Sequence, residues 1–210
     1  MVADHPPTTA EELMRQLKGG QTSFPNLNFH GVNGLELDLH GCDLRNGNFK
    51  ESRFGHAIFS EANLQECSFQ QALLWGADLS GASAQYSKWH DSDLSSARLQ
   101  KANFSGAFMH RCCLRGVLAA GSIWQGARLV DADFRSGLDQ FTDLGEANLH
   151  LADLSFAQLQ GANLRGADLS ESCLYGADLS DSDLREADLS GCDLSDTQLK
   201  GALLPEHLNP

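Results

Sequence analysis

The chain has 210 residues, 41% of them hydrophobic and 20% charged, with a formal net charge of −13 at pH 7. So negative a balance excludes general affinity for nucleic acid or anionic lipid, whose phosphates would repel it. No apolar run approaches the roughly 18 residues that span a bilayer, and MVADHPPTT opens without the basic and apolar stretches of a secretory leader, so a cytoplasmic protein is expected.

Residues 1–21 read as a disordered start followed by a short helix in TTAEELMRQLKGG. Thr9 and Glu12 form a capping box, and Gly19 or Gly20 stops the helix. Ala10, Leu13, Met14 and Leu17 make one apolar stripe, expected to cap the first coil of the repeated array that begins at Phe24 rather than to attach to a membrane.

From Phe24 to Leu204 one pattern runs without a break in frame: 37 pentads, of which 33 are centred on Leu, Phe, Trp or Met. Gly34, Ala84, Ala119 and Asp139 are the exceptions. Two residues before each centre, 33 of 37 positions hold Ala, Ser, Thr, Cys or Gly. Five residues turn an α-helix through about 500°, which would spiral the centres around all its sides. An odd spacing would send them to alternate faces of a strand. Only a chain that changes direction once per repeat points every centre at a common axis, so residues 22–206 form a solenoid. The small residue sits at a corner, the Asp or Asn before the centre caps the turn, and the last two positions face solvent. This structural role accounts for Asp168, Asp178, Asp183, Asp188 and Asp193 without catalysis.

Cys42, Cys67, Cys112 and Cys192 occupy the small corner position, and Cys113 and Cys173 fall one place later. With no C-x-x-C pair, all six read as reduced structural thiols, Cys113 and Cys173 being the most reachable. Irregular residues recur at a spacing of 20, as Phe29, Phe49 and Phe69 do, and stepping by 20 puts centres 89, 109 and 129 on one face, whose outward positions include Lys88, His90, Phe108, His110, Arg111 and Arg128. This basic, aromatic patch, partly neutralised by Asp91 and Asp131, is the candidate protein-interaction site. The same stepping puts Ala119 and Asp139 one coil apart, each preceded by a leucine. A local slip from spacings of five to four and then six is expected there. Leu118 and Leu138 would replace the defective centres, Asp139 would stay out of the core, and Gln140 and Phe141 would project as an irregular loop.

Pro205 halts the array and Leu208, in the tail 207–210, is expected to fold over the final coil. Residues 139–210 hold 14 acidic and 3 basic residues, a net −11 out of −13. No phosphate-cradling glycine loop, G-x-S-x-G or H-E-x-x-H occurs. No catalytic residue, metal site or cofactor is therefore assigned.

ANL at 62–64, ADL at 77–79, ANF at 102–104, ADF at 132–134 and ADL at 187–189 follow A-[DN]-L-x-x. In these motifs the chain resembles the pentapeptide-repeat family. The resemblance implies an all-β solenoid, a right-handed quadrilateral β-helix of about nine coils, roughly 43 Å long at about 4.8 Å per coil. Gly20 to Phe24, LWGADL at 74–79 and ADFRSGLDQFTDLG at 132–145 are similar to a cyanobacterial branch that regulates heterocyst differentiation. That branch implies a non-enzymatic, regulatory scaffold that binds another protein, with no direct nucleic-acid or membrane binding. The alternative is a DNA-mimic inhibitor or protector of gyrase or topoisomerase. The long C-terminal helix that dimerises gyrase-binding members is missing here, so a monomer is expected over a dimer.

Overall fold

The computed structural model describes residues 6–208. Met1–His5, within the start read as disordered, and Asn209–Pro210 of the tail lie outside the described residues. Helix α1 spans Ala10–Lys18. Thr9 Oγ1 accepts the Glu12 N–H at 3.2 Å, while the Glu12 carboxylate accepts the Thr8 N–H at 2.8 Å and the Thr8 hydroxyl at 3.0 Å. The cap thus uses both threonines. Gly19 closes the helix and Gly20 turns the chain at φ 87°, in the left-handed region that favours glycine. Leu13 is buried in the same core as Phe24 and Phe29, and Leu17 packs beside it. Met14, included in the expected apolar stripe, is instead 41% exposed, because nine residues bring only a narrow side of the helix against the core.

Beyond α1, parallel bridges join each residue before a centre to the equivalent residue 20 positions on, beginning with Ser23↔Asp43. Four pentads therefore make one coil with four walls, numbered 1 to 4 from Ser23, Asn28, Asn33 and Asp38. Each wall is only three residues wide. Leu64 N–H donates to Ser83 C=O of the next coil at 2.7 Å, and Ser83 N–H donates back to Ala62 C=O at 2.9 Å. At each corner the small residue's N–H returns to the preceding centre's carbonyl, as Ala62 does to Phe59 at 3.0 Å. The residue before it, Glu61 in this turn, has φ 59°, the positive value a type II turn needs at its third position.

The centres stack into a buried core. Phe49, Phe69 and Trp89 form one column, with ring centroids 4.8 and 4.2 Å apart, and Phe104 stacks on Trp124 at 4.6 Å in another. Two of the four irregular centres belong to a repeated device. Ala84 and Ala119 are fully buried, and each is followed by a corner serine and then a tryptophan centre. Trp124 Nε1 donates to Ser122 Oγ at 2.6 Å, which donates to Ala119 C=O at 2.5 Å. Trp89, Ser87 and Ala84 repeat the chain of bonds. A small centre leaves room for the large one after it, which keeps the core at constant density. Gly34 follows the same logic: a Cβ there would lie 2.3 Å from the Phe54 ring.

Asp139 is handled differently. Bridges Leu118↔Asp143, Ile123↔Asn148, Arg128↔Asp153 and Asp133↔Gln158 span 25 residues, after which Asp143↔Asn163 restores 20. One whole pentad has left the wall. The expected slip is thereby corrected: Ala119 stays in the core, Leu118 remains at a half-buried wall position, and Leu138 is fully exposed. A one-residue slip would turn every following side chain to the wrong face. Expelling five residues leaves all of them in phase.

At the far end Pro205 is buried and a 3-10 turn spans Glu206–Leu208. Leu208 is 42% exposed, and Leu194, Leu199 and Leu204 are only partly buried. Leu208 therefore does not fold over the last coil as expected. No helix among the described residues is long and apolar enough to cross a membrane.

Candidate protein-interaction surfaces

Wall 2 carries the patch singled out in the sequence. Lys88 bridges Phe108, which bridges Arg128, so the three form one column. The Arg128 guanidinium lies 5.2 Å from the Phe108 ring centroid, a cation–π pair. His90 is 6.3 Å from Phe108 and 6.5 Å from His110, ring to ring. His110 Nδ1 lies 3.0 Å from Val130 C=O and 3.9 Å from the Asp131 carboxylate. Arg111 makes two bonds to Asp91, at 2.7 and 2.9 Å, so its charge is already matched. Partial burial, and then the neighbouring His110, hold the His90 pKa below its ordinary value, favouring the neutral ring. Phe108 is half-buried and lies along the wall instead of protruding. The six residues are therefore one continuous surface, with Lys88 and Arg128 as its outward charges.

Wall 4, across the coil, carries the expelled pentad. Gly137 N–H donates to Gln140 C=O at 2.9 Å, and Gln140 Nε2 donates to Gly116 C=O. Thr142 Oγ1 donates to Arg135 C=O at 3.0 Å and accepts the Gly116 N–H at 2.9 Å, pinning both feet of the loop. Gly116 makes this possible, because a Cβ there would meet the Gly137 backbone nitrogen at 2.9 Å. Leu138 and Asp139 face solvent, and Phe141 is 75% exposed. A cavity of about 500 Å³ opens beside the loop, bounded by Leu118, Phe141, Gly161 and Asp181 among others. Gly116, Gly161 and Asp181 escape a reading by pentads, since each occupies an ordinary turn position. The insertion is one full repeat, so it leaves the five-residue frame intact and shows only as a break in the 20-residue pairing.

Burial pushes the Cys67 and Cys112 thiols up to about 12 and Cys42 to about 11, so none is a thiolate nucleophile at neutral pH. Cys113 and Cys173, expected to be the most reachable thiols, are half-buried, and Cys192 at its corner position is half-buried as well. No group of three or more potential metal ligands occurs among the described residues.

The family model described as "Pentapeptide repeat region" matches residues 36–109, and "Pentapeptide repeats (8 copies)" matches 140–170 and 172–204. Among solved structures, HetL of the cyanobacterium Nostoc sp. strain PCC 7120 is 30% identical. It is a pentapeptide repeat protein involved in heterocyst differentiation regulation; the match covers 95% of this chain and 98% of HetL, with a TM-score of 0.67. QnrB1, a plasmid-mediated fluoroquinolone resistance protein, is 16% identical over 88% of this chain and 84% of its own, with a TM-score of 0.46. Rfr23 of the cyanobacterium Cyanothece 51142 is 20% identical over 92% of both chains, with a TM-score of 0.28. No curated protein matches. With more than half its length under the family models and a match to HetL end to end, this chain belongs to the pentapeptide-repeat family and has its right-handed quadrilateral β-helix.

Proposed function

We propose that this chain is a non-enzymatic scaffold that acts by binding another protein, in a regulatory role like that of its heterocyst-linked relative. In this reading residues 22–206 are a monomeric array of about nine coils, closed at the first coil by α1, working in the cytoplasm without cofactor, nucleic acid or membrane. The observation that carries it is the Lys88–Phe108–Arg128 column with His90 and His110 beside it, a basic and aromatic surface on a chain of net −13. Arginine and aromatic side chains supply much of the binding energy at protein interfaces.

The test is affinity capture from the source organism with the wild type and Phe108→Ala/Arg128→Ala. The double variant should keep its thermal midpoint and lose about 1 kcal/mol or more of partner affinity, roughly fivefold. Unchanged capture of the main partner would retire wall 2 as the site. The concentration of acidic charge in residues 139–210 favours a second reading, a DNA mimic acting on a topoisomerase. Inhibition or protection of gyrase in a supercoiling assay would support it.

A further inference from the structure

Wall 4 carries a groove that neither the repeat nor the wall 2 patch accounts for. At several turns a side chain lies over the glycine one coil on, while others are open: a Cβ on Gly126 would meet nothing within 4 Å, and one on Gly121 only Lys101 Cγ at 3.9 Å. His56 covers Gly76, Tyr86 covers Gly106, Phe156 covers Gly176 and Asp181 covers Gly201, each so closely that a Cβ on the glycine would come within 2.1 to 2.8 Å of it. Phe141 would be the turn residue above Gly161 by sequence spacing, but the expelled pentad carries it outward. Gly161 meets nothing nearer than Ser136 Oγ, at 3.8 Å from a Cβ built there. The result is an open groove of about 500 Å³ with a bare backbone floor at Gly161–Ala162 and an apolar wall of Leu118 and Phe141. Its acidic rim is Asp139, Asp143, Asp181 and Asp183.

Those carboxylates are not equivalent. Asp183 is held by Arg185 in two bonds, at 2.9 and 2.6 Å. Asp143 Oδ1 accepts from Gly145 N–H and Asn163 Nδ2. Among the described residues, the carboxylates of Asp139 and Asp181 have no hydrogen-bond or ion partner. Two unmatched negative charges therefore flank an exposed aromatic ring and a floor stripped of side chains. A planar cation suits this arrangement: it can stack on the ring and donate two bonds to a carboxylate at once. Lysine, a point charge on a flexible stem, uses the ring and the fork geometry less well.

We propose that this groove receives an arginine, with its flanking residues, from a basic segment of the partner protein. The assignment rests on the protein-binding reading above and adds the chemistry of the partner. It is tested on the full chain by fluorescence anisotropy with a labelled peptide, Ala-Arg-Ala-Ala-Arg-Ala, and its lysine counterpart. The arginine peptide should bind saturably and at least threefold more tightly than the lysine one. Asp139→Asn/Asp181→Asn should weaken it at least tenfold and Phe141→Ala at least threefold, with thermal midpoints unchanged because all three side chains face solvent. Glu171→Gln/Asp196→Asn, the same charge change at other turns, should stay within twofold of the wild type. Absence of saturation, an equal loss in that control pair, or indifference to Phe141→Ala would overturn the groove. If capture by wall 2 succeeds while the peptide never saturates, the scaffold reading stands and the groove falls. A saturating peptide with no protein captured removes the scaffold reading alone.

Discussion

At the turns, single residues carry an unusual conformational load. Glu61, Tyr86, Leu151 and Phe156, among others, sit at φ between 58° and 59°, where an L side chain is disfavoured by about 1–2 kcal/mol. The core that the turns align must offset that cost, and glycines relieve it where a neighbouring side chain needs space. Gly121→Ala should cost about 1 kcal/mol from φ alone, since its nearest contact would be Lys101 Cγ at 3.9 Å. Gly106→Ala should cost about 0.5–1 kcal/mol more, because the Tyr86 ring, 2.7 Å from the new Cβ, has to leave its seat. Urea denaturation of both variants measures the difference, and adding Tyr86→Ala to Gly106→Ala should recover most of the extra loss. The buried serines are tested the same way. Ser122→Ala leaves the fully buried Trp124 indole N–H without its partner, a loss of about 1–3 kcal/mol. Ser105→Ala, at a half-exposed turn, should stay within about 0.5 kcal/mol.

Among the described residues, the expelled loop is the one departure from the 20-residue ladder between walls. Its residues 137–141 add nothing to the core, and Ser136 already stands where a turn residue belongs. Deleting 137–141 joins Ser136 to Thr142 and leaves ADF-RS-TDL, a regular pair of repeats. The ladder bonds on both sides, Gly116 to Arg135 and Asp143 to Val117, stay available. The deletion variant should therefore fold with the same circular dichroism and a stability within about 1 kcal/mol of the parent, as loop-closure entropy changes slowly with length. Collapse of the thermal transition would show that the loop supports the coil instead of riding on it. Helix α1 is the opposite case, since one buried residue, Leu13, seats it against the core.

For the molecule as a whole, acid should weaken the fold in two separate steps. Burial and His110 lower the His90 pKa from 6.5. The unfolded chain then takes up the proton more readily, so the contribution of His90 is complete above pH 6.5 and fades as pH falls through that value. Arg45 lowers the pKa of Asp43, Arg111 that of Asp91, and Arg185 that of Asp183, from 3.8. At Asp133 burial acts upward, but Arg135 overcomes it. These carboxylates stabilise above pH 3.8 and lose that effect below it. Urea midpoints measured at successively lower pH should thus fall gently from about pH 6.5, then more steeply in the acid range. His90→Gln should flatten the first step and leave the second.

The sequence determined on its own what the period of five can encode: the solenoid, its interior and corner positions, the structural role of the capping aspartates, and the helix before Phe24. Each is a local rule repeated often enough to be read directly. The wall 2 patch was also legible, because stacking at 20 residues follows from four pentads per coil, and Lys88, Phe108 and Arg128 do share a column. What only the tertiary structure decided depends on packing between coils. Ala84 and Ala119 looked like faults in the one-dimensional pattern and are the space into which their tryptophan neighbours fit. Leu118 and Leu138 looked like core replacements and stayed out, since a slipped register costs more than a loop. An insertion of one full repeat is silent in the five-residue frame and sets every later pentad one wall back from where stepping by 20 would put it. The groove at Gly161 exists only because of that displacement, so it could be seen only once the coils were stacked.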